Sequence, residues 1–260
     1  MTDLPPEDYD LDERIYQYER AQSKREHELE DAIEIFSKIK IVAEGDSWMN
    51  LPRIVRPPAI ADQLARDSRF RVENIAKWGH TLEKILIDGQ FLEQVDEKTQ
   101  WYLLSAGGND LQQGLAKGYA IHDYHPDRPT SDYLTEEGEE LLQNIRTNFV
   151  TLLTSIKSKF PSLPILTHAY DYPRPLVGKG TYIGQYLRLK RIPEDSMQLI
   201  INPVIDKLNL VIASASSSVT GATYLDCRTL TEGYTWFDDM HPGKGGFATL
   251  AERFAKEMES

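Results

Sequence analysis

The chain has 260 residues and a mass of 29.7 kDa, near the size at which a single hydrophobic core stops growing, so one large domain with an appendage is expected rather than two full domains. With 40% hydrophobic and 27% charged residues the composition is ordinary for a protein that folds in water, and no stretch approaches the roughly 18 consecutive apolar residues of a membrane span. The net charge of −12 argues against nucleic-acid binding, whose affinity comes largely from basic side chains set against phosphates.

The first ten residues, MTDLPPEDYD, are acidic and proline-bearing, where a secretory signal starts basic and runs apolar, so a cytoplasmic location is expected. Residues 1–40 hold twelve acids and six bases, half of the whole acid excess. Residues 12–38 are rich in Glu, Lys, Arg, Gln and Ala, with apolar or aromatic side chains at Ile15, Tyr18, Ala21, Leu29, Ile33 and Phe36. This predicts a charged helical extension over 1–38, preceding a domain at 39–260. Its stripe breaks between Ala21 and Leu29, so the first half is expected to project or to meet a partner, a second copy of the chain included.

From Ile39 onward the pattern alternates between strand and helix, as in a parallel sheet covered by helices. Five strands are predicted: KIVAE before Gly45, FRVENI around Val72, WYLLSA before Gly107, PILTHA around Leu166, and ATYLDC near Leu225. Between them, Leu141, Leu142, Ile145, Phe149, Leu152, Leu153, Ile156 and Phe160 recur with the three-and-four spacing of one buried helix face. Met197, Ile200, Ile201, Val204, Leu208, Val211 and Ala215 form a second helical face, interrupted by Pro203, which predicts a kink or a restart there. Phe247, Leu250, Ala251 and Phe254 form a third.

Two long segments, 111–135 and 171–193, break the alternation. Both follow a strand's carboxyl end and carry several tyrosines, Tyr172 among them, and in doubly wound sheets that edge is where ligands bind. They are expected to wall a pocket. The single cysteine, Cys227, has no partner for a disulfide and no metal-ligand spacing, and reads as a buried structural thiol. No histidine pair has the helical spacing of a zinc motif, and no cofactor is implied.

At the end of the first strand stands Gly45-Asp46-Ser47-Trp48. A serine placed there can present its hydroxyl above the sheet, but it needs a base to become a nucleophile. Asp238-Asp239-Met240-His241 can supply one: an aspartate three residues before a histidine can accept from Nδ1 and turn Nε2 toward the serine. Asp238 is the expected orienter, with Asp239 as the rival. Donors for a developing oxyanion are available from the Ser47 amide, from Gly79 after the second strand, and from Asn109 in Gly107-Gly108-Asn109-Asp110 after the third. Each has a structural alternative: Gly79 as a turn former, Asn109 as a helix cap, His241 as a cap for the last helix. Trp48, His80 and Tyr172 are further candidates for contact with substrate, Trp48 reading equally as a packed core ring.

Taken together, GDS with Ser47, the glycine Gly79, GxND with Asn109, and DxxH with Asp238 and His241 resemble the SGNH hydrolases, also called GDSL-type esterases and lipases. The resemblance spans residues 39 to about 255. It implies a three-layer flavodoxin-like α/β fold, with a five-stranded parallel sheet of order 2-1-3-4-5 and helices on both faces, and a serine esterase acting on a small-molecule ester without a metal. One departure is the run Trp48-Met49-Asn50-Leu51-Pro52, which makes a helix starting at Ser47 unexpected. The segment Thr167–Pro173 resembles a stretch found in some bacterial members with tryptophan after GDS; no catalytic role is assigned to His168. Two other readings stay open on the residues alone: a metal-dependent phosphoesterase drawing on Asp46, Asp238, Asp239 and His241, and a non-catalytic binding protein on the same fold.

Overall fold

In the computed structural model, residues 22, 24, 25, 37–52, 56–178 and 180–259 are described. The helix expected over 12–38 therefore lies outside them, save for isolated positions.

All five predicted strands form: β1 (Ile39–Gly45), β2 (Phe70–Asn74), β3 (Trp101–Ser105), β4 (Ile165–His168) and β5 (Ala222–Leu225). They make one sheet of order β2-β1-β3-β4-β5, with β1–β3, β3–β4 and β4–β5 parallel. Ile41, Val42 and Ala43 of β1, Leu103 and Leu104 of β3, and the whole of β4 are buried without alternation, as strands covered on both faces must be. The cover comes from two groups of helices. α1 (Ile60–Leu64) packs with the last helix, α8 (Lys244–Met258); α2 (Leu82–Asp88), α4 (Gly108–Ala116) and α7 (Glu194–Ser217) pack on α5 (Glu136–Lys159). Two short helices, α3 (Phe91–Gln94) and α6 (Ile183–Leu189), complete the chain's described helices with a 3-10 turn at Thr130–Asp132.

The long helices follow from their sequences. The Thr135 hydroxyl caps α5 by accepting from the Gly138 amide at 2.9 Å, three glutamates occupy its first turn, and Lys157 and Lys159 lie in its last, each matched to the helix dipole. α7 runs as one helix through Pro203, so the expected restart does not occur. An interior proline costs about 3 kcal/mol, whereas each fully buried Ile, Val or Leu contributes about 1.5–3 kcal/mol, and α7 buries Ile200, Ile201, Val204, Leu208 and Ile212 against α5, β4 and β5. Tertiary burial wins. Among the described residues α7 is the one helix whose length and composition would allow it to cross a bilayer, with a mean hydropathy of 1.3; half of that window is buried inside the fold, as in a core helix.

Sheet register sets up the site. Gly45, the last residue of β1, pairs with Ser105, the last of β3, and Thr167 of β4 pairs with Leu104. Asp46-Ser47, Gly107-Gly108-Asn109 and Tyr170-Asp171 therefore emerge side by side at one carboxyl edge. Gly45 is required at its position: with φ +133, a Cβ there would lie 1.9 Å from the Ser105 carbonyl oxygen, while the next amide, that of Asp46, donates to the same oxygen at 2.9 Å.

Candidate active site

Ser47 sits in a turn directly after β1. The Asp46 carbonyl accepts from the amides of Met49 and Asn50 at 3.2 and 3.0 Å, and the next helix begins only at Ile60, so no helix starts at the serine, as its sequence context suggested. The Asp46 side chain is buried beneath the turn and fixes it with three donors: the Trp48 amide at 3.0 Å, the Ser105 hydroxyl at 2.7 Å, and the hydroxyl of Tyr170. Burial pushes its carboxyl above the usual aspartate range against the pull of these bonds. Asp46 is thereby committed to holding the turn.

His241 Nε2 lies 2.7 Å from Ser47 Oγ, and its Nδ1 lies 2.8 and 2.9 Å from the two carboxylate oxygens of Asp238. Asp238 Oδ1 also accepts from the backbone amides of Met240 and His241, at 2.9 and 2.8 Å, so the three-residue spacing closes a local turn that locks carboxylate to ring. Burial opposes ionisation of Asp238, but the bonds from His241 and the two amides outweigh it and hold its carboxyl below the ordinary range. The histidine ring does not cap the last helix; Gly243 stands at that helix's N-cap.

Asp239 points elsewhere. Its carboxylate accepts from the amides of Tyr182 and Gly184, at 3.1 and 2.9 Å, at the start of α6, and burial drives its carboxyl upward despite those donors. Consecutive aspartates thus do different work: one orients the imidazole, the other anchors the segment beside it. The Asp46 carboxylate is engaged by Tyr170, Ser105 and the Trp48 amide and that of Asp239 by the amides of Tyr182 and Gly184, and among the described residues no cluster of three or more His, Cys, Asp or Glu is arranged to hold a metal ion.

The GxND block fixes the neighbouring segment. Asn109 is the second residue of α4, so it is not a cap, and its Nδ2 donates to the His80 carbonyl at 3.0 Å. An amide has two N–H donors and this contact takes one. Asp110 accepts from the Leu82 amide at 3.0 Å at the start of α2, and burial raises its carboxyl to about 6. Gly79 lies in the turn between, with φ +79, anchored where the Lys77 amide donates to the Gly45 carbonyl at 3.0 Å.

Beside Ser47 and Asn109 opens a cavity of about 40 Å³, walled by Trp48, Leu111, Tyr170, Ile183, Leu208 and Met240. The second expected segment contributes Asp171, Pro173 and Ile183, whereas the first contributes only Leu111, Gln112 and Leu115, which lie on α4 and not in a loop. Trp48 serves packing and lining together: it stacks on His168 at 5.7 Å and meets Tyr170 and Phe247 edge-on at 5.2 and 6.0 Å. His168 is buried, and burial lowers its ring to about 4. The other two substrate-contact candidates are held away from the cavity. The Tyr172 hydroxyl donates to Asp206 on α7 at 2.8 Å, while its neighbours Asp171 and Pro173 line the wall. His80 offers the site its carbonyl through Asn109, and its ring lies 3.9 Å from Asp88.

Sequence reasoning missed three supports. Tyr170 and Ser105 hold Asp46, and Asp171 accepts from the Thr229 amide, the Thr231 amide and the Thr231 hydroxyl at 2.8, 2.9 and 2.7 Å. Asp171 thereby ties the loop that carries Asp238 and His241 to the end of β4. That loop closes on itself through the Phe237 amide to the His241 carbonyl and the Gly243 amide to the Thr235 carbonyl, both 2.9 Å. The one available signal for Asp171 was its place three residues beyond a strand's carboxyl end.

Residues 45–248 match the model of the GDSL-like lipase/acylhydrolase family, so the chain belongs to that family of ester hydrolases. Similar solved structures include a candidate GDSL-like lipase from Parabacteroides merdae (13% identity, TM-score 0.59, covering 86% of this chain and 97% of that one). Phospholipase A1 from Streptomyces albidoflavus is similar at 16% identity and TM-score 0.53, covering 84% and 99%. LAE5, an alpha/beta hydrolase enzyme from the metagenome of Lake Arreo, is similar at 15% identity and TM-score 0.50, covering 85% and 94%. At these identities the likeness is one of fold. No curated protein matches the chain.

Proposed function

We propose that the chain hydrolyses carboxylic esters through an acyl-enzyme on Ser47. His241 Nε2 takes the hydroxyl proton as the oxygen attacks the acyl carbon, and Asp238 holds the imidazole in the tautomer this needs and stabilises the imidazolium that forms. The proton then passes from Nε2 to the leaving alcohol. Water, deprotonated by the same histidine, attacks the acyl-enzyme and releases the acid. The negative charge of each tetrahedral intermediate is assigned to the amides of Ser47 and Gly79 and to the second N–H of Asn109, the first being spent on His80.

The observation that carries this reading is the unbroken line of contacts from Ser47 Oγ to His241 Nε2 at 2.7 Å and from His241 Nδ1 to Asp238 at 2.8 Å. Its test is turnover of a simple aryl ester by Ser47→Ala and His241→Ala, each checked for folding by thermal melt. Both variants are expected to fall to near background, because nucleophile and base act as a unit. A tenth of the normal turnover retained by folded Ser47→Ala would overturn the mechanism.

A further inference from the structure

We infer that Tyr170 is a positioning residue for ester hydrolysis: its side chain sets where Ser47 stands relative to Gly108 and Asn109, an inference that rests on the serine esterase reading above. The need for such a residue follows from the fold. Sheet register holds β1 against β3 only as far as the pair Gly45 and Ser105, and both Ser47 and Asn109 lie beyond it, on separate turns. A tetrahedral intermediate spans the two turns, and a misplacement of about 1 Å between reacting groups can cost on the order of 100-fold in rate.

Tyr170 reaches both turns from a third strand end. On one side its hydroxyl donates to Asp46 Oδ2, while Asp46 Oδ1 accepts from the Trp48 amide at 3.0 Å. Ser47 stands between those two residues in the chain, so the carboxylate grips the backbone on either side of the nucleophile. On the other side the tip of the ring lies against Gly108, the neighbour of Asn109. A Cβ on Gly108 would stand 2.9, 3.0 and 3.1 Å from Cζ, Cε1 and the hydroxyl oxygen of Tyr170, so only a residue without a side chain fits there. The Gly108 amide also acts on that oxygen as a donor.

Tyr170 is itself held from behind. Asn209, 1% exposed on α7, accepts from the Tyr170 amide at 2.9 Å and donates to its carbonyl at 2.8 Å, spending both ends of its carboxamide on one residue. Trp48 meets the ring edge-on at 5.2 Å. Burial and the Asp46 carboxylate push the phenol well above its ordinary range, which keeps it a protonated donor. The next residue, Asp171, anchors the loop of Asp238 and His241 through Thr229 and Thr231. Consecutive residues beyond β4 therefore divide the work: Tyr170 places the nucleophile against the oxyanion donors, and Asp171 places the base.

The full-length Tyr170→Phe protein should be compared with the wild type by thermal melt, by hydrolysis of p-nitrophenyl acetate, and by inhibition with trifluoroacetone. That ketone takes the Ser47 oxygen at its carbonyl carbon, and the tetrahedral adduct mimics the intermediate. The expected result is a kcat lowered about 10- to 100-fold with KM within about threefold, because the placement matters only once charge develops between the two turns. The inhibition constant should rise by a similar factor. Gly108→Ala keeps the hydroxyl but wedges the ring away, and should show the same split; it decides the matter if Tyr170→Phe fails to fold. A folded variant with kcat within about threefold of the wild type, or one that melts lower with the inhibition constant unchanged, overturns the positioning role alone. A wild-type protein that hydrolyses no ester and does not bind the ketone overturns the serine reading and this inference with it.

Discussion

Glu44 is buried in β1, two residues before the Asp46–Ser47 turn ends the strand, and its carboxylate accepts from the hydroxyl of Tyr102 on β3. Val42 is the register partner of Tyr102, so Glu44 reaches its partner diagonally along one face of the sheet. Burial raises its carboxyl from 4.5 to about 7, and the Tyr102 bond and the nearby Lys77 only partly offset that. The sign of the consequence follows from linkage. Below the unfolded value both states are protonated and Glu44 contributes nothing. Between about 4.5 and 7 the unfolded chain loses the proton while the folded one keeps it, so stability falls as pH rises; above that window the loss is complete. Two and a half units correspond to about 3 kcal/mol. Glu44→Gln keeps an acceptor for Tyr102 and removes the charge. It should therefore melt with the wild type near pH 4 and roughly 6–12 °C above it at pH 8. Melts of both proteins at pH 4, 6 and 8 test this. A variant equally displaced at all three pH values, or less stable at pH 8, would refute the claim that a buried carboxyl here resists ionisation.

The two adjacent aspartates should separate cleanly. Asp238→Asn should cost on the order of 10³- to 10⁴-fold in kcat with little change in melting temperature, whereas Asp239→Asn should leave kcat within severalfold and lower the melting temperature; steady-state kinetics and a melt on the same preparations decide the ranking. Asn109→Ala should lower kcat by roughly 10²- to 10³-fold with a smaller effect on KM, because its amide is assigned to charge that appears only in the transition state. Normal kcat in a folded Asn109→Ala protein would remove it from the oxyanion site and leave it only the tie to His80.

Strands β1, β3 and β4 were legible because burial on both faces leaves apolar runs such as Ile41–Ala43 and Tyr102–Leu104, and α5 because its 3.6-residue stripe is unbroken. Ser47, Asn109, Asp238 and His241 could be singled out because each lies within a short block whose spacing carries its own geometry; the Asp238–His241 turn is complete within four residues. Tyr170 could not be read that way. It meets Asp46 across 124 residues of chain, and no local pattern records a contact that only the sheet register creates. Tyr172 could not be placed for the same reason: Tyr170, Asp171 and Pro173 line the cavity, while the Tyr172 hydroxyl reaches across 34 residues of chain to Asp206. Of the kink or restart expected at Pro203, the restart is absent because the apolar surface α7 buries outweighs the local cost of the proline. Cys227, by contrast, is a free and fully buried thiol pushed up to about 12 by desolvation, as its apolar strand-end setting suggested.

The central claim is that Ser47 is the nucleophile, activated through His241. Treatment of the protein with a small alkyl fluorophosphonate, followed by intact mass and peptide mapping, tests it without knowledge of the natural ester. The account predicts one adduct, on Ser47, absent from Ser47→Ala and strongly slowed in His241→Ala. A folded wild-type protein that takes no label, or a label that persists unchanged in Ser47→Ala, would contradict it.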